Sequence, residues 1–444
     1  MQPGAEIDGF RLGERIHMGS MASIYRLEGL PLIMKIPRLG AGERSANVVS
    51  FEQCRMVLGA LAQSPHHPTL VAYGDVETTA YLVMEYIEGT RLDHWIERAP
   101  LAPQETARLG HALALALHEI HRQDVIHLDL KATNVIYRPG GQVALVDFGL
   151  SCHRHLPDLL AAEFHTPVGN WVTMAPEQIA GERCDPRSDL FALGALLYEL
   201  ATGERPFGTP ATLAQLRRRL YRDPTPPRAL VAATPAWLQE VILHCLEIDA
   251  ARRPASAAQV AFDLANPGQG ALTERGERTK ADGFIMRARR WMQARQFEAA
   301  LPPPPATALA PLPVIIVAIG VQETSEPFFE ALRAATRRRL AATGGCRIAC
   351  ITVVPPAAQL ADDTPTARHI KQLVSLRRWA KPLALPEERL TYHVLESDQP
   401  ATALLDYAVV NEVEEILMGP GNEAAQVVMR ASCSVTIVRP PPAS

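Results

Sequence analysis

The chain has 444 residues, a formal net charge of −4 and 47% hydrophobic residues. That length predicts two to three domains with filled cores. The near-neutral balance without a basic stripe argues against a nucleic-acid partner, and no apolar run reaches the ~18 residues of a membrane-crossing helix. No signal peptide precedes Met1-Gln2-Pro3, so a cytoplasmic protein is expected. Cys54, Cys152, Cys184, Cys245, Cys346, Cys350 and Cys433 include no Cys-x-x-Cys pair, which indicates neither a zinc site nor a disulfide framework. Arg217-Arg218-Arg219 and Arg337-Arg338-Arg339 read as solvated helix faces.

In chain order, Ile16-His17-Met18-Gly19-Ser20-Met21-Ala22-Ser23-Ile24 falls between two predicted strands. Glycine there permits backbone N–H groups to close over phosphates. The strand that follows, Leu32 to Pro37, carries Lys35 inside an apolar run; a buried ammonium needs anionic partners, which ATP phosphates would supply. Tyr81 to Met84 is a buried strand leading into Glu85-Tyr86-Ile87-Glu88-Gly89. Further on come His127-Leu128-Asp129-Leu130-Lys131-Ala132-Thr133-Asn134, then Asp147-Phe148-Gly149, then Ala175-Pro176-Glu177. Phosphoryl transfer from ATP needs these residue types together: a carboxylate for the substrate hydroxyl, a lysine for the migrating phosphoryl, and an Asn and an Asp for magnesium. Asp189 in Ser188-Asp189-Leu190 is expected to open a helix as its N-cap.

Over residues 10–265 the chain resembles the bacterial Ser/Thr protein kinases, an α+β bilobal fold. The resemblance implies ATP and Mg2+ as cofactors, Asp129 and Lys131 as catalytic residues, and Asn134 and Asp147 as metal ligands. It places ATP against residues 16–24, Lys35 and the backbone of Glu85 and Ile87, with Met84 at the back of the adenine pocket. Arg253 is matched to Glu177 as a structural ion pair. Lys131, two residues beyond Asp129, resembles the Ser/Thr-directed form, so the expected partners are protein substrates. Leu128 stands where an Arg usually clamps a phosphorylated activation loop, so phosphorylation of Ser151 or Thr166 is not expected to be a strict switch. Asn170 replaces the Thr that usually meets the catalytic pair. Cys54 takes the place of the helix Glu that usually pairs with Lys35, and Glu52, two residues earlier, falls about 200° around the helix, so either the helix register is shifted or Lys35 is positioned differently. A pseudokinase scaffold is the rival reading.

Residues 266–311 read as a linker, with a helical pattern over 281–300 and a stiff spacer at Pro302-Pro303-Pro304-Pro305. From 312 to 440 strands near 314–319, 347–354, 390–395, 415–418 and 435–438 alternate with helices, which implies an α/β doubly wound parallel sheet. This part resembles the universal stress protein family through Ile416-Leu417-Met418-Gly419 and Ala431-Ser432-Cys433-Ser434-Val435-Thr436-Ile437-Val438. Gly320 occupies the position of that family's nucleotide-binding Asp, and Gly419-Pro420-Gly421-Asn422 is too short for its phosphate loop. The resemblance therefore implies a regulatory module without nucleotide, and a homodimer through the last strand.

Overall fold

The structure is a computed structural model that describes residues 2–19, 21–39, 46–76, 78–156, 158–160, 167–270, 272–280, 313–321, 325–342, 346–356, 365–386, 389–411 and 413–439. The expected helix over 281–300 and the proline spacer lie outside them.

The N-terminal part is an antiparallel sheet in the order β1-β2-β3-β4-β6-β5, formed by β1 (Glu6–Ile7), β2 (Phe10–Met18), β3 (Ala22–Leu27), β4 (Leu32–Pro37), β5 (Leu70–Gly74) and β6 (Tyr81–Glu85). One face packs Leu12, Tyr25, Met34 and Val83 together. The long helix α1 (Ala46–Ala60) buries Val48, Phe51, Cys54 and Val57 in the main core. Short strands follow: β7 (Thr90–Arg91), β8 (Val125–Ile126), β9 (Val135–Tyr137), β10 (Val143–Leu145) and β11 (Cys152–His153). They form the small ladders β10-β9-β7 and β11-β8 and hold the loops between them.

Beneath lies a helical lobe. Helix α2 (Pro103–Arg122) starts on Pro103, whose missing N–H costs nothing in a first turn, and ends on His121 and Arg122, which suit the negative end of the helix dipole. It presses against α3 (Arg187–Thr202) at Gly110, where a Cβ would sit 2.4 Å from Leu197. Helices α4 (Ala236–Cys245) and α5 (Ala257–Ala265) complete the lobe. Hydrogen bonds tie residues beyond 265 to this lobe. The Glu240 carboxylate accepts from the backbone of Thr273 (3.1 Å) and Gly276 (2.8 Å) and pairs with Arg275, while Gln239 donates to the carbonyls of residues 275, 276 and 278. Residues 273–278, read from sequence as linker, are docked on α4.

The C-terminal part is a five-stranded parallel sheet in the order β14-β13-β12-β15-β16, from β12 (Val314–Ala318), β13 (Arg347–Val354), β14 (Leu390–Glu396), β15 (Val413–Met418) and β16 (Ser434–Ile437). Alternate residues of the central strands serve opposite faces. Ile315, Val317, Ile348 and Cys350 pack with Phe328 and Leu332 of α6 (Glu326–Ala342) and Trp379 of α7 (Pro365–Ala380). Ile316, Ala318, Ala349 and Ile351 pack with Leu404 and Ala408 of α8 (Pro400–Val410) and Val427 of α9 (Asn422–Arg430). Strands buried on both faces account for the continuous apolar runs in the sequence. Among the described residues no helix is long and apolar enough to cross a membrane.

Candidate active site

A cleft of about 470 Å³ separates the antiparallel sheet from the helical lobe. Its lining includes Ile16, His17 and Ile24 of the β2–β3 hairpin, Lys35, Cys54, Met84, Glu85 and Ile87 above, and Lys131, Asn134 and Asp147 below. The hairpin tip is held by Gly19 N–H donating to Ala22 O (2.9 Å) and by Arg38 reaching Gly19 O (3.2 Å). Met18, Gly19, Met21, Ala22 and Ser23 form this turn and its return without joining the cleft lining; Ser20 lies outside the described residues. The Glu85 N–H is already taken by Thr69 O (3.0 Å), so an adenine edge would have to use its carbonyl.

Lys35 Nζ and Asp147 Oδ1 are 2.6 Å apart. Burial works against both charges, but their mutual attraction prevails, holding the lysine above its ordinary range and the carboxyl below its own. The Asp147 side chain is 43% exposed to the cleft, so solvent tempers that attraction. Cys54 occupies the helix position facing Lys35, and burial pushes its thiol up. Glu52 turns away, as the helix period requires: it binds Arg55 (3.2 Å) and, from α7, Arg377 (2.8 Å).

Below, Asp129 is buried and anchors a tight cluster. Lys131 Nζ donates to its Oδ2 at 2.6 Å, Asn134 Nδ2 to its Oδ2 at 3.2 Å and its main-chain carbonyl at 3.0 Å, and the Asn170 N–H to its Oδ1 at 3.1 Å. The amide side chain of Asn170 donates to Thr173 Oγ1 (3.2 Å), whose hydroxyl donates to Leu130 O (2.7 Å).

Two residues near these groups adopt left-handed backbone, Leu128 (φ 60°) and Asp147 (φ 69°), a conformation that costs a non-glycine residue about 1–2 kcal/mol. Asp189 holds the first. Its carboxylate accepts from His127 N (2.8 Å), Leu128 N (2.9 Å) and His121 Nε2 (2.9 Å). It is not the expected N-cap: α3 begins at Arg187, and Asp189 faces the loop at 127–128 from the first turn. His127 links the loops, with Nε2 at 3.1 Å from Val146 O and its ring 5.1 Å from that of Phe148.

Glu177 and Arg253 form a buried bidentate pair at 2.6 and 2.7 Å. Arg219 corrects the reading of residues 217–219 as a solvated face: it is 1% exposed and donates to the carbonyls of Trp171 and Met174. It therefore braces the segment that presents Asn170 to Asp129. Its place in an arginine run concealed it, and only the unusual cost of burying a guanidinium marks it in the fold. Ser151 is also fully buried, donating its hydroxyl to His127 O (3.0 Å), so it is closed to a modifying enzyme; Thr166 lies outside the described residues.

Residues 45–263 match the protein kinase domain family. The serine/threonine-protein kinase PknB of Mycolicibacterium smegmatis is 30% identical over 271 residues, spanning 58% of this chain and 42% of its own. PknB of Mycobacterium tuberculosis is 29% identical over the same length. Pkn1 of Myxococcus xanthus is 31% identical over 267 residues, or 57% of this chain and 38% of its own. The chain thus spans about two fifths of the length of these curated relatives, and it carries a protein kinase domain of the bacterial serine/threonine type.

Proposed function

We propose that this chain transfers the γ-phosphoryl of ATP to serine or threonine hydroxyls of protein substrates. The observation that carries the reading is the convergence of Lys131, Asn134 and Asn170 on Asp129 beside the cleft that holds the Lys35–Asp147 pair. Asp129, buried among these donors, accepts or orients the proton of the attacking hydroxyl. Lys131 stands where charge moves with the phosphoryl, and Lys35 meets the phosphates of the nucleotide. The oxygen donors of Asp147 and Asn134 suit Mg2+, a hard cation that takes one or two protein oxygens and completes its shell with phosphates and water. When bound, that ion neutralises charge on the phosphates. Cys54 supplies no carboxylate to Lys35, and among the described residues Asp147 is its ion-pair partner. A scaffold without catalysis remains the rival.

Asp129→Asn separates the two. Transfer from labelled ATP to a generic protein substrate should fall by roughly 10²–10⁴-fold, the range for a positioned base, with the melting midpoint near that of the wild type. Unchanged turnover would remove Asp129 from the reaction.

For the C-terminal sheet the proposal is a universal stress protein-like regulatory module that holds no nucleotide. β15 ends at Met418 and α9 begins at Asn422, which leaves no room for a phosphate-cradling loop. The Phe328 ring closes on the turn, so that a Cβ on Gly419 would lie 2.9 Å from it. β16 is the sheet's edge and Val428 and Met429 stand exposed on the neighbouring helix, features that support self-association there. Sedimentation velocity of the full chain checks it: a monomer at high concentration would end the dimer reading.

A further inference from the structure

The sulfur atoms of Cys152 and Cys184 lie 3.4 Å apart although the residues are separated by 32 positions. Cys152 is buried in β11, whose ladder partner Ile126 leads directly into His127 and the Asp129 loop. Cys184 is exposed and follows the Ala175-Pro176-Glu177 segment. The contact does not depend on the two thiols alone. Arg183, next to Cys184, donates to Leu150 O (2.7 Å) and pairs with Asp158 (2.6 Å), which ties the two backbones together on both sides of the sulfurs.

We propose that Cys152 and Cys184 form a redox-modification site, at which a hydroperoxide converts the thiol pair to a disulfide that pins together the two ends of the activation segment. A disulfide requires about 2.05 Å between sulfurs, roughly 1.4 Å less than the present gap. The exposed position of Cys184 gives the oxidant access. Cys184 sulfur attacks one peroxide oxygen, the O–O bond breaks, and the other oxygen leaves as water; Cys184 becomes a sulfenic acid. Cys152 sulfur then attacks Cys184 sulfur, the S–O bond breaks, and the thiol proton of Cys152 leaves with that oxygen as a second water. Two thiols lose two electrons and the peroxide gains them. The hydrogen bond to Cys184 and burial both push the Cys152 thiol up, which makes it the second rather than the first sulfur to react. The closed loop contains the Asn170 segment, so the bond fixes the chain on either side of the groups that meet Asp129.

The full-length protein treated with stoichiometric hydrogen peroxide, alkylated and digested without reductant, should yield one peptide linking Cys152 to Cys184. Its mass should be two hydrogens below the sum of the free peptides and return with dithiothreitol. The melting midpoint should rise by a few degrees and fall back on reduction, because the link restricts the unfolded chain. Cys184→Ser, a change at an exposed site, should abolish both the linked peptide and the rise. Accumulation of sulfinic acid on Cys184 with Cys152 still alkylatable would overturn the proposal. So would a linked peptide between other cysteines, or a midpoint rise that survives Cys184→Ser.

Discussion

The antiparallel lobe and the C-terminal parallel sheet each set a loop-rich edge beside a helix, yet the two edges are chemically opposite. In the kinase domain the strand ends and loops deliver Lys35, Asp129, Lys131, Asn134 and Asp147 to one region, each held by a named partner at 2.6–3.2 Å. At the corresponding edge of the parallel sheet stand Gly320 and Gly419, with Phe328 packed on the latter. A fold is carried by many apolar positions and survives the loss of a few polar ones; a function is carried by those few. Both parts bury paired charge, Glu177 with Arg253 in the kinase domain and Glu415 with Arg339 at the parallel sheet, but His369 and His393, the two histidines pushed far down by burial, belong to the C-terminal part.

The largest effect that tests this contrast is the loss of transfer in Asp129→Asn, set against its counterpart at the other edge. Gly320→Asp places a carboxylate just beyond β12 and should change turnover by less than about twofold, since Phe328 closes on the neighbouring turn at Gly419. Steady-state transfer assays on the two variants make the comparison; a large change from Gly320→Asp would show that the second edge takes part in the reaction.

A smaller effect separates the halves by pH. His369 is pushed down to about 4 and His393 to about 3, in both cases by burial, with the charge of His369 adding to the shift of His393. His393 lies wholly inside, its Nε2 3.0 Å from both Thr391 Oγ1 and the Tyr407 hydroxyl. A base kept neutral by burial contributes stability that is complete above its unfolded value of 6.5. That contribution is lost as pH falls below 6.5, because the unfolded chain takes the proton first. Amides of β13 and β14 should therefore lose hydrogen-exchange protection between pH 6.5 and about 4 before those of α2 and α3 do. His369→Gln with His393→Gln should flatten the slope. Equal loss in both halves would contradict the assignment.

Much of this was legible from the sequence, for a physical reason. The groups around Asp129 and Asp147 lie on short loops whose chemistry is local, so their order along the chain announces them. Helical period puts Glu52 on the wrong face without deciding between a shifted register and a differently placed Lys35, and the parallel sheet follows from strands buried on two faces. What stayed hidden depends on contacts between distant segments. The Asp189 carboxylate serves the loop at 127–128, Arg219 braces the 171–174 carbonyls, Ser151 is sealed under His127, and Cys152 meets Cys184 across the activation segment. Residues 273–278 look like polar linker because their partners, Gln239 and Glu240, satisfy backbone groups rather than bury side chains.

The central claim, that only the kinase cleft receives nucleotide, is tested most directly by calorimetric titration of the full-length chain with ATP and magnesium. One site per chain is expected, with binding lost or severely weakened in Asp147→Ala because that change removes the proposed magnesium ligand and the partner of Lys35. A stoichiometry of two, or micromolar binding that persists in Asp147→Ala, would contradict it.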